Sequence, residues 1–120
     1  KKVKIEKMTQ QSANLGSFVS SLYSEDYDLM SRSVIDQVVE PDRAVLIPEF
    51  DKVKMISKDS GSIASGISGS GPSIFSLSNN RISSNNILDK ISDHYNSMDI
   101  EFDGFISSVN SGGIKIIETK

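Results

Sequence analysis

The residues best placed for chemistry are the run Ser68-Gly69-Ser70-Gly71-Pro72, a lone Arg43, a single His94 and scattered carboxylates. Several familiar chemistries fail on spacing alone. A nucleophilic serine elbow needs G-x-S-x-G; Gly66 precedes Ser68 correctly, but Ser70 stands where the second glycine must be. A phosphate loop of the G-x-x-x-x-G-K-[ST] type is excluded, because no lysine follows the glycines. The dinucleotide fingerprint G-x-G-x-x-G would need glycine at Ile74. His94 falls near the end of a helical pattern beside Tyr95, with no partner nearby in sequence. A helix-surface residue is expected there, not a general base. Asp26, Asp28, Asp99, Glu101 and Asp103 are spaced as solvated acidic faces, so no metal-ligand set is expected.

Two features survive. Gly69 and Gly71 permit backbone angles that other residues resist, and without side chains they let another backbone or a ligand approach closely. Successive N–H groups in such a turn can form an anion-binding concavity. The plainer reading is a tight hairpin that connects two strands, and both readings stand. Arg43 is the single cation of the proline-bracketed segment EPDRAVLIP. A planar guanidinium on a rigid backbone suits a carboxylate or a phosphate, although on the residue alone a solvated arginine with no role is the plainer reading.

The chain that must position these residues has 120 residues and 37% hydrophobic content, enough for one domain over 1–120 and too little for two. A net charge of −3 and the lack of a basic stripe argue against nucleic acid as a partner, and the basic opening KKVKIEK reads as a solvated edge. No cysteine is present, which removes disulfides and thiolate zinc sites and fits a reducing cytoplasm. No apolar run is long enough to span a membrane, so none is expected as a partner. The sequence opens on lysine instead of methionine, which suggests a piece of something longer.

Leu15, Phe18, Val19 and Leu22 recur at helical spacing and predict a buried face. YSEDYD interrupts it, with Ser24 expected as the N-cap of a second helix carrying Tyr27, Met30, Val34 and Val38, which Pro41 should end. Pro48 should open a third helix through Phe50, Val53 and Ile56 to a C-cap at Gly61. SIASGIS and SIFSLS read as strands flanking the glycine turn, and Ile87, Leu88, Ile91 and Tyr95 as a helix. DIEFDGFISSV, bent at Gly104, and GGIKIIE complete the expected sheet. The predicted class is α+β: a ferredoxin-like antiparallel sheet with helices on one face, preceded by a helical hairpin.

Taken together, EPDRAVLIPEFDKVK, SGSIASGISGSGPSIFSL and VNSGGIKII resemble the C-terminal half of homoserine kinases, members of the GHMP small-molecule kinases that include galactokinase and mevalonate kinase. SGSGPSIF is similar to the third motif of that whole family, and EP-x-R followed by LIP-x-F is narrower. QQSANLGSFVSSLYSEDYDLM fits the preceding helix pair. The resemblance covers about residues 9 to 118. It implies that Ser68, Gly69, Ser70 and Gly71 support a nucleotide-phosphate loop from an N-terminal domain and line the cleft. Arg43 would bind the carboxylate of L-homoserine, which accepts the γ-phosphate of ATP in threonine biosynthesis, with Mg²⁺ offsetting phosphate charge. The family's ATP-cradling second motif is absent from these residues. The chain is therefore expected to be a C-terminal domain without its ATP-binding partner domain, holding no catalytic residue of its own and inactive alone. Exposed edge strands would suit a homodimer. A ferredoxin-like metabolite-binding or dimerisation module, or another kinase of the family such as mevalonate kinase, remains as an alternative.

Overall fold

A computed structural model describes residues 2–118. The elements run α1 (Ile5–Ser24), α2 (Tyr27–Ser33), α3 (Glu40–Arg43) continued by a 3-10 turn (Ala44–Leu46), α4 (Phe50–Asp59), β1 (Ala64–Ile67), β2 (Ile74–Leu77) and α5 (Arg81–Ser97). The class is α+β, with a helical hairpin first and an antiparallel β-ribbon against which α4 and α5 pack. Among the described residues no helix is long and apolar enough to cross a membrane.

The helix ends follow local chemistry. α1 closes on Glu25 in the left-handed region, and the Asp26 carboxylate accepts from the Leu29 N–H at 2.8 Å to cap α2. The cap is therefore Asp26 and not Ser24, whose hydroxyl instead donates back to the Ser20 carbonyl. Pro41 does not end the second helix. α2 stops at Ser33, and Pro41 sits in the first turn of α3, where its missing N–H costs nothing. α4 ends with Gly61 at φ 99°, the Gly61 N–H donating to Lys58 and the Ser62 N–H to Ser57. That double bond pattern is what a glycine after the C-cap permits.

β1 and β2 pair with Ala64 opposite Leu77, Ser65 opposite Ser76, Gly66 opposite Phe75 and Ile67 opposite Ile74. Alternation then sends Ser76 toward α4, where its hydroxyl meets that of Ser57 at 3.0 Å. Small buried residues at this contact let the helix sit close to the ribbon. The core lies here: Phe50 and Val53 of α4, Ala64 of β1, and Ile87 and Tyr95 of α5 are buried.

Two further expectations need correction. Residues 100–118 form no strand, so the sheet has two strands among the described residues, not four. Alternating apolar residues mark a face, but a strand also needs a neighbour for its backbone groups. Ile114 and Ile117 lie fully exposed, so the end of this segment has found neither a partner nor a core, whereas its start packs through Phe102 on Tyr95, ring centroids 5.1 Å apart. A Cβ at Gly104 would lie 2.4 Å from Leu88 Cδ1, so the end of the Leu88 side chain would have to shift to admit one. The second correction concerns α1, whose Leu15, Val19 and Leu22 are exposed while Asn14 and Ser21 are buried.

Candidate functional site

The ribbon's turn is narrow by construction. The Ser68 N–H donates to the Ser73 carbonyl at 2.8 Å, and the Gly71 N–H donates to the Ser68 carbonyl at 3.2 Å. Gly69 at φ 62° and Gly71 at φ 78° supply the left-handed angles that this closure requires. Ser68, Gly69 and Ser70 are exposed, and a Cβ at Gly69 would meet nothing within 4 Å. Among the described residues, the N–H groups of Gly69 and Ser70 have no acceptor. The tip is thus a thin rim carrying two successive free donors.

Arg43 lies at the end of α3, exposed and with no ion pair among the described residues. Its helix is fixed from below by Asp36. That carboxylate accepts from the N–H groups of Val38 at 2.8 Å, Val39 at 2.9 Å and Glu40 at 3.2 Å. The segment from Glu40 to Ile47 runs alongside the ribbon. A Cβ on Gly66 would lie 3.1 Å from Glu40 Oε2, and one on Gly71 would lie 3.4 Å from Ile47 Cδ1. The segment that begins with EPDR thus runs beside the ribbon, and Glu40 and Gly69 line one cleft, Arg43 not being among its lining residues. Glu40 is further held by Lys54, whose Nζ lies 2.5 Å from Oε1.

A cleft of about 270 Å³ opens on the ribbon face that bears Gly66, Phe75 and Leu77, with Phe18 of α1 and the Asp36–Glu40 segment as its other walls. Apolar and aromatic walls with a few carboxylates at the rim suit a small molecule or a docked loop.

His94 is not the isolated surface residue expected. Its side chain is only 18% exposed, and Nε2 lies 3.5 Å from Glu49 Oε2. Beside it, the Tyr95 hydroxyl donates to the Pro48 carbonyl at 3.0 Å. These contacts bring α5 to the entry of α4, the tyrosine bond fastening it while His94 Nε2 is buried without a hydrogen-bond partner among the described residues. They join residues far apart in the chain, which is why adjacency in sequence gave no sign of them.

Residues 18–97 match the family model described as GHMP kinases C terminal. The chain belongs to that family. The homoserine kinase of Chlorobaculum tepidum is 36% identical over 99% of this chain and 37% of its own length. That of Buchnera aphidicola is 44% identical over 67% of this chain and 26% of its own length. A solved homoserine kinase from Cytophaga hutchinsonii superposes with a TM-score of 0.87 at 38% identity, covering 92% of this chain and 35% of that one. The chain thus spans little more than a third of the length of the curated relatives it matches.

Within this GHMP C-terminal domain, some neighbours of the motifs escaped the sequence reading. Glu40, Ile47 and Gly66 form the seam between EPDR and the glycine turn. Glu40 lies inside the EP-x-R pattern, but its contact with Gly66 depends on two segments meeting. Asp36 carries no motif, because its three acceptor contacts depend on how the chain turns after α2.

Proposed function

We propose that this chain is the C-terminal domain of a homoserine kinase, the whole of which transfers the γ-phosphoryl group of ATP to the side-chain hydroxyl of L-homoserine. One observation carries the reading: the segment bearing Arg43 runs along the glycine turn, Glu40 against Gly66 and Ile47 against Gly71. The similarity to homoserine kinases over nearly the whole chain supports it. Arg43, exposed and unpaired among the described residues, is free to pair two donors with a substrate carboxylate. Gripping that end of the substrate would orient its hydroxyl, which is where positioning lowers the barrier to phosphoryl transfer.

The Ser68–Gly71 turn would serve a second need. Its free N–H groups at Gly69 and Ser70 fit a phosphate or the backbone of a docked loop. The thin tip would let an ATP-cradling loop from an N-terminal domain sit against it. Mg²⁺, when bound, offsets phosphate charge, and its ligands are expected from that other domain. On this reading these 120 residues alone phosphorylate nothing.

ADP release by the full-length polypeptide that carries this chain, with L-homoserine and Mg-ATP, tests the proposal. Wild type should turn over. Arg43→Ala should lose affinity for homoserine by about 2–4 kcal/mol, from loss of a charged contact, with ATP affinity kept. Turnover of a different alcohol but not homoserine would leave the family and sink the substrate. No turnover with any alcohol would favour a metabolite-binding or dimerisation module.

A further inference from the structure

α3 is a single turn that carries a carboxylate and a guanidinium three residues apart, Glu40 and Arg43. Side chains at that spacing are neighbours on a helix, and opposite charges pair there. Arg43 nevertheless has no ion pair among the described residues. Glu40 is engaged elsewhere. Its Oε1 takes the Lys54 ammonium of α4 at 2.5 Å, and its Oε2 lies over β1, 3.1 Å from where a Cβ of Gly66 would stand. Lys54 is well placed to hold it. α4 is anchored through buried Phe50 and Val53, and the ammonium also stands 5.5 Å from the Phe50 ring centroid, within cation–π range. The Glu40 side chain is 16% exposed and that of Lys54 28%, so salt screens the pair less than it would a surface pair. Gly66 is the independent sign. Glycine weakens a strand interior, yet a Cβ there would crowd both Glu40 Oε2 and the Phe75 ring. The missing side chain leaves room for the carboxylate to lie away from Arg43.

We propose that Lys54 is a positioning residue for substrate binding: it withdraws Glu40 from Arg43 and so leaves the guanidinium to the substrate carboxylate. The role rests on Arg43 gripping that carboxylate, as proposed above, and adds the residue that keeps the grip open. Two carboxylates compete for one planar fork. Glu40 is tethered one turn away, so it competes as an intramolecular partner against a substrate that must arrive from solution. Without another cation to hold it, its carboxylate would close on Arg43 as an i, i+3 pair and would have to be displaced at each binding event. Lys54 supplies that other cation from a different element, where it cannot itself reach the space Arg43 faces without leaving Glu40. The ion pair thus acts on affinity for the substrate carboxylate. It has no part in the phosphoryl transfer.

Steady-state ADP release by the full-length polypeptide, with L-homoserine and Mg-ATP, tests it. Lys54→Met should raise the KM for homoserine roughly two- to fivefold, the scale of an exposed ion pair, with kcat and the KM for ATP kept. Glu40→Gln should leave the homoserine KM at the wild-type level. Adding Glu40→Gln to Lys54→Met should restore it, because the competing carboxylate is gone. In an Arg43→Ala background Lys54→Met should change nothing further. A wild-type KM in Lys54→Met would overturn the proposal. So would a double variant as impaired as Lys54→Met alone, since the ion pair would then be only a brace of the fold. Should Lys54→Met fail to fold, Lys54→Gln repeats the measurement, and a raised KM in Glu40→Gln overturns the proposal by itself. The two readings fail separately. If Arg43→Ala raises the KM and Lys54→Met does not, the role of Lys54 falls alone. If wild type ignores homoserine, or Arg43→Ala keeps its KM, the substrate reading falls and takes this role with it.

Discussion

At the scale of single residues, the glycine turn separates backbone cost from packing cost. Gly69 and Gly71 both sit at positive φ, so alanine at either should cost about 1–2 kcal/mol in strain. A Cβ at Gly71 would touch Ile47 and Ile67 at 3.4 Å, which is ordinary contact, and one at Gly69 would touch nothing. The two variants should therefore differ by less than about 1 kcal/mol in denaturant unfolding, because space is not the limiting factor at either site. A much larger loss at Gly71 would mean that Ile47 presses on the turn more firmly than its distance suggests. Arg43→Ala should change stability by less than about 0.5 kcal/mol, since the side chain is exposed and no described residue pairs with it. That silence in stability is what makes a loss of substrate affinity interpretable. The special role of Gly69 and Gly71 in the backbone was legible from residue type, because glycine runs beside apolar strands have few other uses. The nearness of Gly66 to Glu40 was not legible, because it depends on two segments meeting.

At the scale of elements, caps and ties hold the helices in place. Asp36 holds three consecutive N–H groups ahead of α3, so Asp36→Ala should cost about 1–2 kcal/mol in thermal unfolding. If Arg43 holds the substrate as proposed, the same variant of the full-length polypeptide should raise the KM for homoserine, because α3 carries Arg43, and Asp36→Asn should recover part of both losses. Tyr95 ties α5 to Pro48. Burial foremost, and the charge of Glu49 second, raise its phenol above the ordinary 10.0. The neutral form is thus favoured in the folded state. Its contribution to stability is complete below pH 10 and is lost as the pH rises through the raised pKa. Absorbance at 295 nm should show one of the three tyrosines ionising later than the others. Tyr95→Phe should abolish that late step and cost about 1 kcal/mol through the lost bond to Pro48. Periodicity is local and predicts α1, α2, α4 and α5, whereas α3, a single turn around Pro41, carries no apolar stripe and is not expected from the sequence. The boundaries moved where two residues competed for one cap, as Ser24 and Asp26 did.

At the scale of the whole molecule, stability should be uneven. The core joins α4, β1 and α5, while beyond Ile100, whose N–H reaches the Tyr95 carbonyl, the segment to residue 118 makes no backbone–backbone bond among the described residues. Hydrogen exchange on this chain should find amides of residues 101–118 nearly unprotected and those of Val53, Ser65 and Ile87 slowest. Protection of 101–118 in the full-length polypeptide would show that the missing strand neighbours come from elsewhere in that molecule.

Composition, glycine placement and helical period were enough to predict an α+β domain, a helical hairpin ahead of a glycine-turned ribbon, and the two motifs on which function was argued. Those features are carried by residue types and short spacings, which a linear reading retains. Which face of α1 is buried, how the segment from Glu40 to Ile47 comes to run beside the ribbon, the nearness of His94 to Glu49, and the absence of strands among the described residues beyond Ile100 follow from contacts between distant segments. An apolar stripe states that a helix needs a neighbour. Only packing chooses the neighbour, and α1 met its hairpin partner through Asn14 and Ser21, leaving its apolar stripe to the solvent side.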